Sequence, residues 1–184
     1  MYYKVISIPN IGNIQQQIIQ YMSNSLTGVE TGFYAVNSAV LKPKWTLLTE
    51  YLNTKNLLDR WQGVGVSVLN NKDMNIHTDS NDPNRIYALN IPVLNCNNTY
   101  TVWYKEKEPN TFKNLSYLSS GNSVNYNEYA VYSVEEVTRL ESCNCAFVNV
   151  KVPHRGISMH NKPRFLISLR FSPDLQKLEI ENFI

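Results

Sequence analysis

Charge of either sign is scarce in this sequence of 184 residues, where charged side chains make up 17% and the formal net charge is +2. A balance so close to neutral argues against binding nucleic acid or a membrane surface through bulk electrostatics. Long apolar runs are lacking, so no segment reads as a membrane-spanning helix. Met1-Tyr2-Tyr3-Lys4-Val5 does not carry the pattern of a signal peptide, and the expected location is cytoplasmic. Cysteine is limited to Cys96, Cys143 and Cys145. An odd count without a secretion signal argues against a disulfide framework. Cys143-Asn144-Cys145 has one intervening residue, which is not the spacing of a zinc knuckle or a paired redox motif. Buried or half-buried free thiols are the expectation. Neither an internal repeat nor a low-complexity tract is visible, and the many Asn residues fall in short scattered clusters.

Hydrophobic residues make up 43% of the chain, enough for one domain with a sizeable core over residues 1–184. Ile14, Ile18, Ile19 and Met22 recur at helical spacing and predict a helix over Ile11–Met22. Leu47, Leu48, Tyr51 and Leu52 predict a second within Trp45–Leu58. Residues 11–58 thus form a helical N-terminal support. Beyond Trp61, short stretches rich in Val, Ile, Tyr and Thr alternate with clusters of Asn, Asp, Gly and Pro. They predict strands at Gly63–Leu69, Met74–His77, Ile86–Val93, Tyr100–Lys105, Ala130–Leu140, Cys145–Val152 and Pro163–Phe171. A further strand is expected at Ile6–Pro9 or Gly32–Val36. Short strands at near-regular spacing point to a mainly β sandwich or barrel, about 63–171, with the helices packed outside.

Histidine is as scarce as cysteine, at His77, His154 and His160. His77-Thr78-Asp79 closes a predicted strand, and residues i and i+2 of an extended segment face the same way. The imidazole and carboxylate can therefore converge on one ion, with His154 after the apolar run Ala146–Pro153 as third ligand. Two His and one carboxylate on one face leave other metal positions open, as in the facial triad of non-haem Fe(II) oxygenases. Taken singly, His77 reads as a polar strand end and His154 as a satisfied half-buried histidine. Arg164 changes the balance. It lies ten residues past His154, and alternation along Arg164–Arg170 puts Arg164, Leu166, Ser168 and Arg170 on one face. Phe165, Ile167 and Leu169 fall on the other. Such a strand suits a barrel with a polar pocket, where Arg can grip a carboxylate bidentately and Ser can add a hydrogen bond.

His77-Thr78-Asp79, then His154, then Arg164 resembles the H-x-D…H…R pattern of the Fe(II)- and 2-oxoglutarate-dependent oxygenases. Pro153-His154-Arg155-Gly156 through Pro163–Ser168 looks like their closing hairpin. Arg85–Val93 looks like the strand that follows H-x-D. The likeness runs from about Gly63 to Phe171 and is to hydroxylases of the aspartyl/asparaginyl and prolyl types and to phage-encoded members.

The resemblance implies a double-stranded β-helix, a jelly-roll or cupin-like barrel with the metal at its open end. It implies that His77, Asp79 and His154 bind Fe(II). Arg164 would bind the distal carboxylate of 2-oxoglutarate, with Ser168 as helper, and O₂ would be the co-reactant. Tyr87, Asn90 and Tyr104 are candidates for further cosubstrate contacts. Asp79 sets the chain apart from the halogenases of the superfamily, which lack that carboxylate. Trp103 reads as core, His160 as solvated surface, and Arg155 and Arg170 as mouth residues or surface ion pairs. Substrate choice is expected in Ser80–Asn84 and in Glu106–Val124, a long loop with Phe112 and Tyr117 read as a lid. The prime substrate is expected to be a small molecule or a protein side chain. Two other classes share these residues: a cupin-like metal enzyme that does not use 2-oxoglutarate, and a non-catalytic jelly-roll binding or virion module. A zinc hydrolase would leave Arg164 unexplained.

Overall fold

The structure, a computed structural model, describes residues 1–22, 30–70, 72–79, 86–119, 122–172 and 175–183, apart from the side chains of 117–119 and 122–125. Twelve strands are described: β1 (Tyr3–Val5), β2 (Gly32–Asn37), β3 (Trp61–Leu69), β4 (Ile76–Thr78), β5 (Tyr87–Leu94), β6 (Thr99–Glu106), β7 (Phe112–Ser119), β8 (Asn122–Tyr129), β9 (Val134–Glu141), β10 (Ala146–Asn149), β11 (His154–Ser158) and β12 (Arg164–Phe171). The helices are α1 (Ile11–Met22), α2 (Ser38–Leu41), α3 (Thr46–Thr54) and α4 (Lys177–Glu181).

Two six-stranded antiparallel sheets face one another, in the orders β1-β10-β5-β12-β3-β2 and β7-β8-β4-β11-β6-β9. Apart from β2–β3 and β7–β8, neighbours in each sheet are not consecutive in sequence, which is the jelly-roll arrangement that the resemblance implies. Strand alternation sets what lies between the sheets and what lies outside. On β12, Phe165, Ile167, Leu169 and Phe171 join Leu89, Ile91 and Val66 in a core that also holds Ile14 and Ile18 of α1 and Leu48 and Leu52 of α3. This is the helix-covered outer face of the first sheet. The opposite positions of the same strands, among them Arg164, Ser168 and Asn90, turn to the interior between the sheets.

The two expected helices form, and α2 and α4 are additional. The α1 bounds match the prediction, and Ile14 and Ile18 are its buried residues. The second helix is shorter than predicted and begins at Thr46. No side chain of Trp45 caps it. Instead Gln17 of α1 accepts from the Leu47 amide at 3.1 Å and donates to the Thr46 hydroxyl at 2.9 Å, tying the two helices together.

Inside the barrel, the interior beside β10 is filled by packing. Trp103 joins Ala88, Ala146, Val148 and Leu140, as its reading as core requires, and the Tyr3 ring stacks on it with centroids 5.3 Å apart. Its indole N–H donates to the Asn149 carbonyl at 2.9 Å.

The strand expectations need four corrections. The N-terminal strand is Tyr3–Val5, and of the two alternatives Gly32–Val36 is the one that forms a strand. Glu106–Val124 is not a loop, because Phe112–Ser119 and Asn122–Tyr129 pair as a hairpin. Its Asn- and Ser-rich alternation lacked an apolar face and so concealed two strands. Ala130–Leu140 is interrupted by a 3₁₀ turn at Val131–Ser133. Cys145–Val152 ends at Asn149, and His154 opens a strand of its own. Ser80–Asn84, expected to shape substrate choice, lies outside the described residues. All three cysteines are free, Cys96 and Cys145 buried but Cys143 exposed. Among the described residues, no helix is long and apolar enough to cross a membrane.

Gly65 marks a close approach in the interior. A Cβ there would overlap the ring of Phe33, which reaches across from β2. Gly65→Ala should therefore cost about 1–3 kcal/mol in denaturant unfolding. In a Phe33→Ala background the same change should cost much less; equal costs in both backgrounds would show that the ring is not what Gly65 accommodates.

Candidate metal centre

Antiparallel register brings the two candidate ligand histidines together. His154 at the start of β11 pairs directly with His77 of β4, so their side chains share the interior face, ring centroids 4.7 Å apart. Asp79 follows β4 by one residue, and its backbone N–H donates to the Val150 carbonyl at 3.1 Å. That bond fixes the turn leaving β4 against the segment that leads to His154. The three ligand atoms lie within 4.8 Å of one another. Asp79 Oδ1 is 3.2 Å from Nε2 of each imidazole. Two ligand atoms at right angles and about 2.1 Å from one ion stand about 3 Å apart, so the spacing fits a single bound cation.

The hydrogen bonds behind the imidazoles set their tautomers. His77 Nδ1 lies 2.7 Å from the Asn75 carbonyl and His154 Nδ1 lies 2.9 Å from the Val152 carbonyl. A carbonyl only accepts, so each Nδ1 carries a proton and donates it. In the neutral rings this leaves both Nε2 lone pairs pointing at a carboxylate oxygen. A positive charge among these donors, a metal ion or a proton on Nε2, satisfies them. Backbone carbonyls orienting the far nitrogen are the usual support of metal-bound histidine.

The titration of these groups follows from the same geometry. Burial would lower the His77 pKa, but the hydrogen bond and charge of Asp79, with the Asn75 carbonyl, outweigh it and hold the pKa above its ordinary value; Arg170 opposes them. Burial likewise pushes the Asp79 carboxyl up, yet Arg170 and the two imidazoles hold it well below the usual carboxylate range. Asp79 is thus an anion, with Oδ1 facing the histidines and Oδ2 in an ion pair with Arg170.

Deeper in the barrel sits Arg164, only 1% exposed. Its Nη2 donates to Ser67 Oγ at 2.8 Å, while Nε has no partner. Among the described residues no carboxylate pairs with it, and burial lowers its pKa to about 10. Gly156 makes room for this head group, since a Cβ there would stand 3.1 Å from Arg164 Nη2. Ser168 and Asn90 face each other across β12 and β5, both buried, and Asn90 Oδ1 has no partner. A desolvated guanidinium with unpartnered polar atoms near the same interior is arranged to receive an anion.

Two expected cosubstrate contacts are not on this interior. Tyr87 belongs to the helix-covered core, because its odd position on β5 alternates away from Asn90. Tyr104 packs with Ile76, Val102, Tyr129 and Val134 on the outer face of the second sheet, and its hydroxyl accepts from Arg155 Nε at 2.8 Å. Arg155 is accordingly a partner of Tyr104, with its register position opposite Val102. His160 is half-buried rather than solvated. Its Nδ1 accepts from the Lys162 amide and its Nε2 donates to the Asn95 carbonyl at 3.1 Å, bracing the β11–β12 turn. Ser67 and the Asp79 partnership of Arg170 escaped the sequence reading. Both depend on strand neighbours remote in the chain.

No protein-family model matches the sequence, and no curated protein matches it. Among solved structures, the non-heme alpha-ketoglutarate dependent epimerase SnoN from nogalamycin biosynthesis superposes with a TM-score of 0.52 at 12% identity, covering 92% of this chain and 77% of that one. The Bacillus subtilis oxalate decarboxylase OxdC (DEL162-163 mutant) matches with a TM-score of 0.36 at 8% identity over 79% of this chain, which spans 27% of that longer one. The fold is a jelly roll of the double-stranded β-helix kind.

Two outcomes follow from the site. Metal must displace protons from imidazoles, so Fe(II) affinity measured anaerobically should rise with pH through the elevated His77 pKa, by up to about tenfold per pH unit for each proton released, then level off. An affinity flat between pH 5.5 and 8 would contradict this. Arg164→Met removes a buried, uncompensated charge, so its melting temperature without ligands should equal or exceed that of the wild type. A loss of several degrees would mean that Arg164 is held by partners in the resting protein.

Proposed function

We propose that this protein is a non-haem Fe(II)- and 2-oxoglutarate-dependent dioxygenase that hydroxylates its prime substrate. The observation that carries the reading is the pairing of two features in one interior. Three ligand atoms converge where β4 meets β11, and a buried guanidinium with no carboxylate partner among the described residues opens β12. The first is the donor set of a facial triad, which leaves metal positions open for exchangeable ligands. The second is what a dicarboxylic cosubstrate needs at its far end. The shared fold with a protein named as alpha-ketoglutarate dependent supports the same reading.

On this reading His77, Asp79 and His154 hold the iron. When bound, the metal with 2-oxoglutarate and O₂ supplies the oxidative chemistry, which yields succinate and CO₂ and inserts an oxygen atom into a substrate C–H bond. The chain's own work is positional. Arg164, steadied by Ser67, binds the distal carboxylate bidentately, with Ser168 and Asn90 supplying hydrogen bonds nearby. Burial strengthens that contact by excluding competing water. Arg170 keeps Oδ2 of Asp79 engaged, which directs Oδ1 to the metal position.

Purified metal-free protein supplied with Fe(II), ascorbate and 2-oxoglutarate under air should release succinate even without prime substrate. Asp79→Ala should abolish release. Arg164→Met should weaken 2-oxoglutarate binding about a hundredfold while leaving Fe(II) affinity within about threefold. Metal binding with 2-oxoglutarate affinity indifferent to Arg164 would favour a cupin-like enzyme of another kind. Absence of both binding events would point to a non-catalytic module.

A further inference from the structure

Two aromatic side chains flank the triad from opposite sheets, and the proposed chemistry uses neither. Phe33 stands on β2, opposite Ser67 in the β2–β3 register, so it faces the interior that holds Arg164. Its ring lies over Gly65 and presents a face to Arg170, whose guanidinium carbon is 5.8 Å from the ring centroid. Arg170 in turn grips Asp79. On the other side, Tyr126 of β8 meets the His77 ring edge to face, with centroids 6.3 Å apart and planes at 89°. Both rings are half-buried, so each keeps some surface open.

The two rings stand in a mixed setting. The interior carries the polar groups Ser67, Ser168, Asn90, Arg164 and Arg170, and beside His154 the fully buried Trp103 leaves no open ring surface of its own. Seating Phe33 there also requires a glycine in the middle of a strand, which sacrifices side-chain packing on β3. We propose that Phe33 and Tyr126 form a clamp that seats a planar ring of the prime substrate beside the metal. Ring pairs prefer offset or edge-on contact at centroid separations of about 4.5–7 Å, which a puckered aliphatic ring of the same size cannot reproduce. Arg170 against Phe33 is itself paired with Asp79, so ring planarity sets the substrate class: a planar ring system. The inference rests on the metal-centre reading above.

The test uses protein loaded with Zn(II) and 2-oxoglutarate, so that no turnover occurs, and titrates phenol and cyclohexanol by ligand-observed NMR. Phenol should bind saturably, and cyclohexanol at least about threefold more weakly. Phe33→Leu and Tyr126→Leu should each weaken phenol about 2–12-fold, Phe33→Tyr should retain it, and metal and 2-oxoglutarate affinities should not change. Equal binding of the two probes, or undiminished phenol binding in the leucine variants, would overturn the clamp. So would a Phe33→Leu protein that loses metal affinity but keeps phenol, because the ring would then be a strut for Arg170. If Phe33→Leu does not fold, Tyr126→Leu on the hairpin decides alone. Failure of the wild type to take up Zn(II) or 2-oxoglutarate would count against the metal-centre reading. The same phenol comparison on metal-free protein would then still decide the clamp.

Discussion

The convergence of two imidazole nitrogens on one carboxylate oxygen is the constraint on which this structure turns. Two backbone carbonyls, those of Asn75 and Val152, take the Nδ1 protons of His77 and His154 and so present both Nε2 atoms to Asp79 Oδ1. The arrangement holds because Asp79 is paired on its other oxygen with Arg170 and because its amide is tied to Val150. Each of these supports comes from a different strand or strand end. The triad is therefore a product of the whole barrel.

Polar groups between two sheets are costly, and the protein offsets them elsewhere. The outer face of the first sheet is buried under α1 and α3, with Phe147, Leu89, Ile167 and Leu169 fully covered. Inside the barrel, Trp103 packs with Ala88, Ala146 and Val148 beside His154. Gly156 and Ser67 admit the Arg164 head group. The resting protein keeps a desolvated charge whose natural complement is a ligand, a cost in stability that binding would recover.

How much of this was legible in the sequence depended on period and on distance along the chain. The α1 helix was readable because Ile14 and Ile18 fall one turn apart. The two faces of β12 were readable because Arg164–Arg170 alternates without interruption. The hairpin of β7 and β8 was not, since its strands carry Asn, Ser and Tyr on both faces and it pairs with β4 over only Ile76–Thr78. Tyr87 and Asn90 looked equivalent as strand residues. They differ because three positions along a strand reverse the face, and only the location of the helices says which face is outside. Tyr104 follows the same rule: alternation along β6 puts Trp103 inside and Val102 and Tyr104 outside, and only the facing sheet says which face is which.

By itself the sequence determined residue types and local order: an H-x-D at a strand end, a late histidine, and an arginine strand with one apolar and one polar face. Those follow from short-range periodicity, which chain geometry imposes within a few residues. Tertiary structure alone decided which of these groups meet. His77 and His154 become neighbours through a single register pair between β4 and β11. Arg170 reaches Asp79, and Phe33 crosses Gly65, only because strands far apart in the chain are adjacent in the barrel. The physical reason is that hydrogen-bonded register between remote strands is chosen by burial of the whole sheet, a sum over both faces that no local stretch of sequence contains.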